Sequence, residues 1–524
     1  MPRGDRSLRD RLVPPMPQDR VLGWVAPAAI AVFAGILRFW RLGTPHAFVF
    51  DETYYAKDAW SLWHFGAEQT YISSAKKGAP DPANQKILAG HLHGLWTGDP
   101  SYVVHPPGGK WVIGVGEWLF GMTPFGWRFM VATTGTLAVL MVARIGRRMF
   151  RSTLLGCVAG LLLAVDGMEF VHSRTALLDP LVMFWALAAF GALVIDRDHS
   201  RARLADWVVE KADRPDWHTH LGPGLGLRPW RIAAGVFLGA ACATKWNGLW
   251  FIVAFGLMSV LWDVGARKTA GIRWPWLVSL CRDAAPAFAS LVVVAGAVYT
   301  ASWTGWFMAG DRGYFRQWGS QNPHSPFLPD AVASWFHYQH EVWSFNTNLH
   351  TYHPYRSNPW GWTVLSRPVS YFYNGPSKGH DGCHAASCSQ AITALGTPAI
   401  WWGATLALPV LLYLWALRRD WRAGAVLAGL AGGWLPWFFF QSRTIYSFYA
   451  VAFAPYLVLG LALVIGLILG PARASPVRRA WGASIAGSYV LLSVANFAWL
   501  LPVLSAQVIP YADWARRMWW KSWI

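Results

Sequence analysis

Apolar windows close to the length that carries an α-helix across a bilayer recur at 21–40, 127–146, 153–168, 177–195, 231–244, 247–264, 284–303, 397–417, 423–440, 446–470 and 480–503. About 17 to 25 residues of helix cross roughly 30 Å of hydrocarbon, where every backbone polar group must be paired internally. These windows are continuous, not alternating ten-residue segments, so a strand barrel is excluded. A composition of 54% hydrophobic and 14% charged residues agrees. The sequence therefore predicts an all-α polytopic membrane protein of about eleven transmembrane helices with two large loops on one side.

Lys and Arg set the expected orientation. With the N-terminus cytoplasmic, the inner segments 1–20, 147–152, 196–230, 265–283, 418–422 and 471–479 carry the bases, among them Arg3, Arg6, Arg147, Arg148, Lys211, Arg214, Arg228 and Arg267. The organisation that follows is a cytoplasmic tail 1–20, a first span 21–40, an outer loop 41–126, spans two to seven in 127–303, a large outer loop 304–396, spans eight to eleven in 397–503, and a tail 504–524 also outside. The expected location is the plasma membrane, with Asp51 and Glu52 extracytoplasmic and the basic N-terminus leading into an uncleaved first span.

A formal charge of +18 raises the question of nucleic acid. The bases lie in short loops between spans, so positive-inside topology and anionic lipid headgroups account for them and no nucleic acid partner is expected. Cys383 and Cys388 sit in the large outer loop with Gly and Ser around them, placed to close a small disulfide ring. Cys157, Cys242 and Cys281 lie in or beside spans and read as packing residues.

Acids at a membrane boundary are the first functional candidates, because charge in the bilayer is costly. Asp51 and Glu52 open an expected surface helix, Glu52 to Phe65, with Tyr55, Ala59, Leu62 and Trp63 at helical spacing. The same outer segment closes with His105-Pro-Pro-Gly-Gly-Lys110 and a short apolar stretch, Trp111 to Phe120, read as a second interfacial helix. Between the third and fourth windows, Asp166, Glu169, His172, Arg174 and Asp179 crowd into a connection more polar than a hairpin requires. Arg128 can reach the same layer. Arg128 and Arg174 are candidates for a lipid phosphate; the alternative is that they hold the bundle together, Arg174 with Asp179.

Taken together, the Asp-Glu pair, the His-Pro-Pro-x-x-Lys stretch, the Ser-Arg-Thr-Ala-Leu-Leu-Asp-Pro connection and His350-Thr-Tyr-His-Pro-Tyr-Arg-Ser-Asn-Pro-Trp-Gly-Trp362 resemble the protein O-mannosyltransferase family. The resemblance spans most of the chain and keeps the motif order. It implies the GT-C glycosyltransferase architecture and transfer of mannose from polyprenyl-phosphate-mannose to Ser or Thr hydroxyls of proteins in the extracytoplasmic space. Eukaryotic members insert a β-trefoil domain in the large loop, which 304–396 is too short to hold, so the chain is similar to the actinobacterial type. The partners so implied are the lipid donor, an acceptor polypeptide and membrane lipids; the secretion translocon is a further candidate that these residues do not themselves specify.

The chemistry suits these residues. A Ser or Thr hydroxyl is a poor nucleophile near neutral pH and needs a carboxylate to take its proton. Asp51 is assigned as that base and Glu52 to orienting the acceptor or tuning Asp51, with the roles exchangeable. The phosphate leaving group needs its charge neutralised, for which Arg128, Arg174, His105 and Lys110 are the candidates. Asp179 and His172 support, and His353, Ser357 and Trp360 are candidates for gripping acceptor or sugar. With no enzyme nucleophile, the reaction is a single inverting displacement. No cofactor is required; a divalent metal at the acids with His91 and His93 is the less favoured reading, because the donor has no diphosphate for a metal to offset. The rivals are another GT-C transferase acting on a glycan or lipid, and a transporter, which would carry ionisable groups near the midplane.

Overall fold

Each of the eleven apolar windows forms helix in a computed structural model that describes residues 7–73, 81–211, 222–471 and 473–524. Arg3, Arg6, Arg214 and the side chain of Lys211, used above for orientation, lie outside the described residues. Eight of these helices are long and apolar enough to cross a bilayer: α1 (Leu22–Phe39), α4 (Pro124–Phe150), α7 (Asp179–Lys211), α9 (Gly248–Ala270), α10 (Pro275–Ser302), α12 (Pro398–Ala416), α14 (Ser447–Leu469) and α15 (Pro476–Leu504). The other three windows are shorter: α5 (Thr153–Ala164), α8 (Pro229–Thr244) and α13 (Trp421–Trp434), the last continued by a tighter turn, Leu435–Phe439. The chain is a multi-pass membrane protein.

Burial ranks the helices. The apolar window of α14 is 78% buried and that of α10 only 17%, so α14 is central and α10 peripheral. The large core cluster contains Val139 and Val142 of α4, Leu162 and Leu163 of α5, Phe190 of α7, and Tyr456 and Leu459 of α14. Exposed apolar side chains such as Val32 and Ile36 on α1 and Leu280 and Phe288 on α10 form the surface that hydrocarbon must cover.

One face of the bundle carries both large loops. The first holds α2 (Glu52–Phe65) and α3 (Gly108–Phe120), which pack on each other, and the second holds α11 (Asp330–Thr347). The surface helix from Glu52 to Phe65 has the bounds expected from its spacing, and α3 begins three residues before Trp111. Two small sheets were not expected. One pairs β1 (Gln69–Tyr71) with β2 (Trp96–Pro100); the other is antiparallel, β3 (Val369–Asn374), β4 (Cys388–Ala394) and β5 (Val508–Pro510), with Cys388 opposite Pro510 and Gln390 opposite Val508. Because β5 follows α15, the tail 504–524 lies on the same face as the large loop.

At the opposite end, cations are paired with acids. Arg147 bonds Asp19 at 2.7 Å, Arg148 bonds Asp198 at 2.8 Å, Arg228 bridges Asp196 and Asp263, and Arg267 takes both oxygens of Asp283. That last pair lets α10 begin at Pro275, nine residues before the apolar window that sequence alone marks.

Candidate active site

Asp51 and Glu52 are neighbours in sequence that face different surroundings. Phe50 turns the chain with a left-handed φ of 52°, a conformation that is costly for a bulky residue. Its ring is stacked on Tyr371 at 4.5 Å between centroids, which helps to hold the turn. Asp51 then occupies the cap position of α2 and Glu52 its first turn, about 100° further round the helix.

Glu52 is fully buried. Its Oε1 accepts from Arg128 Nε at 2.7 Å and from the Ala176 amide at 2.9 Å; its Oε2 accepts from Arg128 Nη2 at 2.7 Å and the Val49 amide at 2.9 Å. Arg128 gives its remaining donors to the carbonyls of Leu42, Pro45 and Ala47. The fork-on-fork geometry explains the pairing, and it departs from two expectations, Glu52 orienting the acceptor and Arg128 holding the phosphate: the oxygens of the one and the donors of the other are engaged, and neither residue lines the cavity described next. Arg174 is also committed elsewhere. Its guanidinium donates to the carbonyls of Leu37, Arg38, Trp40 and Arg41, at and beyond the C-terminal end of α1, where carbonyls lack helical partners and a cation is favoured.

Asp51 faces a cavity of about 680 Å³. Among the described residues no donor lies within hydrogen-bond reach of its carboxylate. Burial raises its pKa to about 6, with Lys245 pulling it down and Asp179 pushing it up. Lys245, in the turn between α8 and α9, bonds both carboxylate oxygens of Asp179 at 3.0 Å and lies 4.5 Å from the Tyr449 ring centroid. Two glycines bring α3 against this turn: a Cβ at Gly108 would lie 2.7 Å from the Ala243 carbonyl oxygen, and one at Gly109 would meet Thr244 at the same distance. His105 and Lys110, which flank them, thereby line the cavity together with Lys245. Burial, then the charges of Lys245, Lys110 and Arg443, push the His105 imidazole well below its usual range, so it is neutral at pH 7.

Arg443 stands at a junction. It lines the Asp51 cavity, a smaller aromatic space of about 100 Å³ with Trp246, Trp250, Trp437 and Phe440, and a polar space of about 320 Å³ with Arg356, Ser357 and Asn358. Its Nη2 donates to Asn346 at 3.1 Å, while its buried Nε has no partner among the described residues.

The remaining candidates divide. His353 lines the Asp51 cavity, with Nδ1 accepting from the Tyr355 amide at 3.2 Å. Lys110 lines it too but is held by Glu68 at 2.5 Å, with Asp58 at 3.9 Å. His172, at the end of the short helix α6 (Gly167–His172), is buried behind the wall and bonds the Tyr371 hydroxyl at 2.9 Å, while Asp179 anchors Lys245. Ser357 lines the polar space, not the Asp51 cavity, and its hydroxyl accepts from Trp362 Nε1. Trp360 is 72% exposed, with its ring against Phe438, and lines none of these three spaces, so it is not placed to stack on a sugar there. Cys383 and Cys388 form a disulfide. No group of three His, Cys, Asp or Glu among the described residues is arranged to hold a metal ion, and His91 and His93 stand apart in the first loop.

Sequence reasoning missed Lys245. Its signal was topological: a base in a turn on the face where bases are scarce departs from the charge rule and so needs a reason.

A family model described as dolichyl-phosphate-mannose-protein mannosyltransferase matches residues 28–209, and one described as the C-terminal four TMM region of protein-O-mannosyltransferase matches 331–523. The chain is 41% identical over 519 residues to the polyprenol-phosphate-mannose–protein mannosyltransferase of Mycolicibacterium smegmatis (strain MKD8), covering 97% of this chain and 94% of that one. The relative of the same description from Corynebacterium glutamicum is 35% identical over 515 residues, covering 95% and 92%. Among solved structures, the Saccharomyces cerevisiae protein O-mannosyltransferase Pmt1-Pmt2 complex bound to the sugar donor superposes with a TM-score of 0.70 at 14% identity, covering 99% of this chain and 94% of that one, which establishes a shared GT-C fold. The chain belongs to the protein O-mannosyltransferase family.

Proposed function

We propose that the chain transfers mannose from polyprenyl-phosphate-mannose to Ser or Thr hydroxyls of polypeptides, with Asp51 as the general base. The observation that carries this reading is an unpaired carboxylate, raised to about 6, in a cavity that also holds Lys245 and Arg443. At pH 7 such a carboxylate is mostly ionised, yet basic enough to take the hydroxyl proton as the oxygen attacks the anomeric carbon. The bond from that carbon to the phosphate oxygen breaks as the new one forms, inverting its configuration, and the electron pair leaves on polyprenyl phosphate. Lys245 and Arg443 neutralise that phosphate. Neutral His105 donates or accepts one hydrogen bond beside them. Glu52 with Arg128, and Arg174 on its carbonyls, set the backbone from which Asp51 projects.

The cavity face is assigned to the extracytoplasmic side of the cell membrane. The paired Arg clusters at the opposite end support this, since basic ends favour the cytoplasm. Catalysis through Lys245 and Arg443 needs no metal. The test is incubation of detergent-purified protein with polyprenyl-phosphate-mannose and a Thr-containing peptide, with and without EDTA. One added hexose per acceptor, unaffected by EDTA, is expected. An unmodified peptide beside an active control would overturn the assignment, and loss of turnover in EDTA alone would overturn the metal-free reading.

A further inference from the structure

The Asp51 cavity is larger than one transferred sugar requires; pockets of about 300 to 1,000 Å³ take whole drug-sized ligands, and this one measures about 680 Å³. It runs along α2. Asp51, Tyr55 and Asp58 recur at intervals of four and three residues, so they share one helix face, and all three line the cavity. Asp58 stands about 10 Å along the axis from Asp51, at 1.5 Å per residue.

Asp58 is only 8% exposed, and no hydrogen-bond donor among the described residues reaches its carboxylate; its nearest cation, the Lys110 ammonium, is 3.9 Å away and already bonded to Glu68. Around it the cavity is lined by Tyr54, Tyr71, Ser101 and Tyr102. Tyr54 is 55% exposed. Burial raises the Asp58 carboxyl to about 6, so it too is largely ionised at neutral pH. An acid that can accept from two neighbouring hydroxyls, among tyrosine rings and a serine hydroxyl, is the chemistry that recognises a hexose: ring faces meet the sugar's C–H groups and the carboxylate takes its vicinal O–H groups.

We propose that this second arm is a carbohydrate subsite that takes a mannosyl group already present on the acceptor polypeptide, so that one modified residue favours modification of another nearby. An extended chain advances about 3.3 Å per residue, so a sugar about three residues from the hydroxyl at Asp51 would reach Asp58. The inference rests on the activity proposed above and adds an acceptor preference to it.

The test compares two synthetic peptides with one acceptor Thr, one bare and one carrying α-mannose three residues away, tried on each side. Wild-type protein should show about a tenfold higher kcat/KM for one glycopeptide, the scale of one charge-assisted hydrogen bond. In Asp58→Asn and, independently, in the exposed-site variant Tyr54→Ala, the glycopeptide-to-peptide ratio should fall toward one. The ratio cancels any general loss of turnover, and equilibrium binding of both peptides to the solubilised protein gives the same comparison if no sugar is transferred. Equal kcat/KM for both peptides in wild type, or a ratio unchanged in both variants, would overturn the subsite. Absence of any transfer with a preserved difference in affinity would instead sink the activity and leave the subsite standing.

Discussion

The cavity wall and the packed seam directly behind it use the same residue types to opposite ends. In the seam, Glu52, Arg128, Arg174, Glu169 and Arg38 bond one another or the surrounding carbonyls and amides, and none of them lines the cavity. On the wall, the Asp51 carboxylate is without a hydrogen bond and faces the open cavity beside Lys245 and Arg443. The lesson is that charge type and proximity in sequence do not separate the two adjacent acids; what does is that Glu52 has both oxygens bonded in the seam while Asp51 has neither bonded and opens on the cavity.

The sharpest way to break the comparison is Asp51→Asn. Removing a general base lowers kcat by about 10² to 10⁴-fold, measured as hexose transferred to peptide, and wild-type turnover would move the base elsewhere. The same variant should melt no lower than wild type. An acid whose folded pKa is raised makes the folded state bind a proton more tightly, so stability falls as pH rises from 3.8 through about 6. At pH 7 the neutral amide escapes that penalty, at most ~3 kcal/mol and less with cavity water present. Glu52→Gln should do the reverse: breaking a buried ion pair costs about 3 to 5 kcal/mol, visible as a large drop in Tm, and an unchanged Tm would mean the seam is not a seam. Arg443→Ala is expected to raise the donor KM by about tenfold or more, on the scale of a lost charged hydrogen bond, with a smaller change in the acceptor KM; equal changes in both would remove the phosphate assignment. The mildest effect is on pH. Because the ionised carboxylate is the reactive form, kcat/KM should fall as pH drops through about 6 and level off above it, and a profile flat from pH 5 to 8 would argue against Asp51.

Much of the architecture could be read from the chain, because apolar length is nearly a direct statement about hydrocarbon thickness. The windows at 21–40, 397–417 and 446–470 became α1, α12 and α14 within two residues at each end. Helix α10 was harder, since Arg282 and Asp283 interrupt its apolar run and are tolerable inside it because Arg267 pairs with Asp283 and Arg282 donates to the Gly222 carbonyl. The strands were invisible because three to seven residues with no sustained alternation give no periodic signal. Asp51, His105, Lys110 and His353, singled out by residue type and depth, line one cavity. Arg128 and Arg174, expected at a phosphate, instead bond protein oxygens away from the cavity, because a guanidinium serves a phosphate or a ring of carbonyls equally well, and which carbonyls are left over at the end of α1 is a property of the fold.

Arg443 is a wall common to an aromatic compartment, a polar one and the chamber with Asp51. An oily substrate and a water-borne one can therefore arrive from separate quarters without either barring the other's entrance. Initial velocities taken while both concentrations are varied should give lines that intersect and not parallel ones, the mark of two reactants present at once.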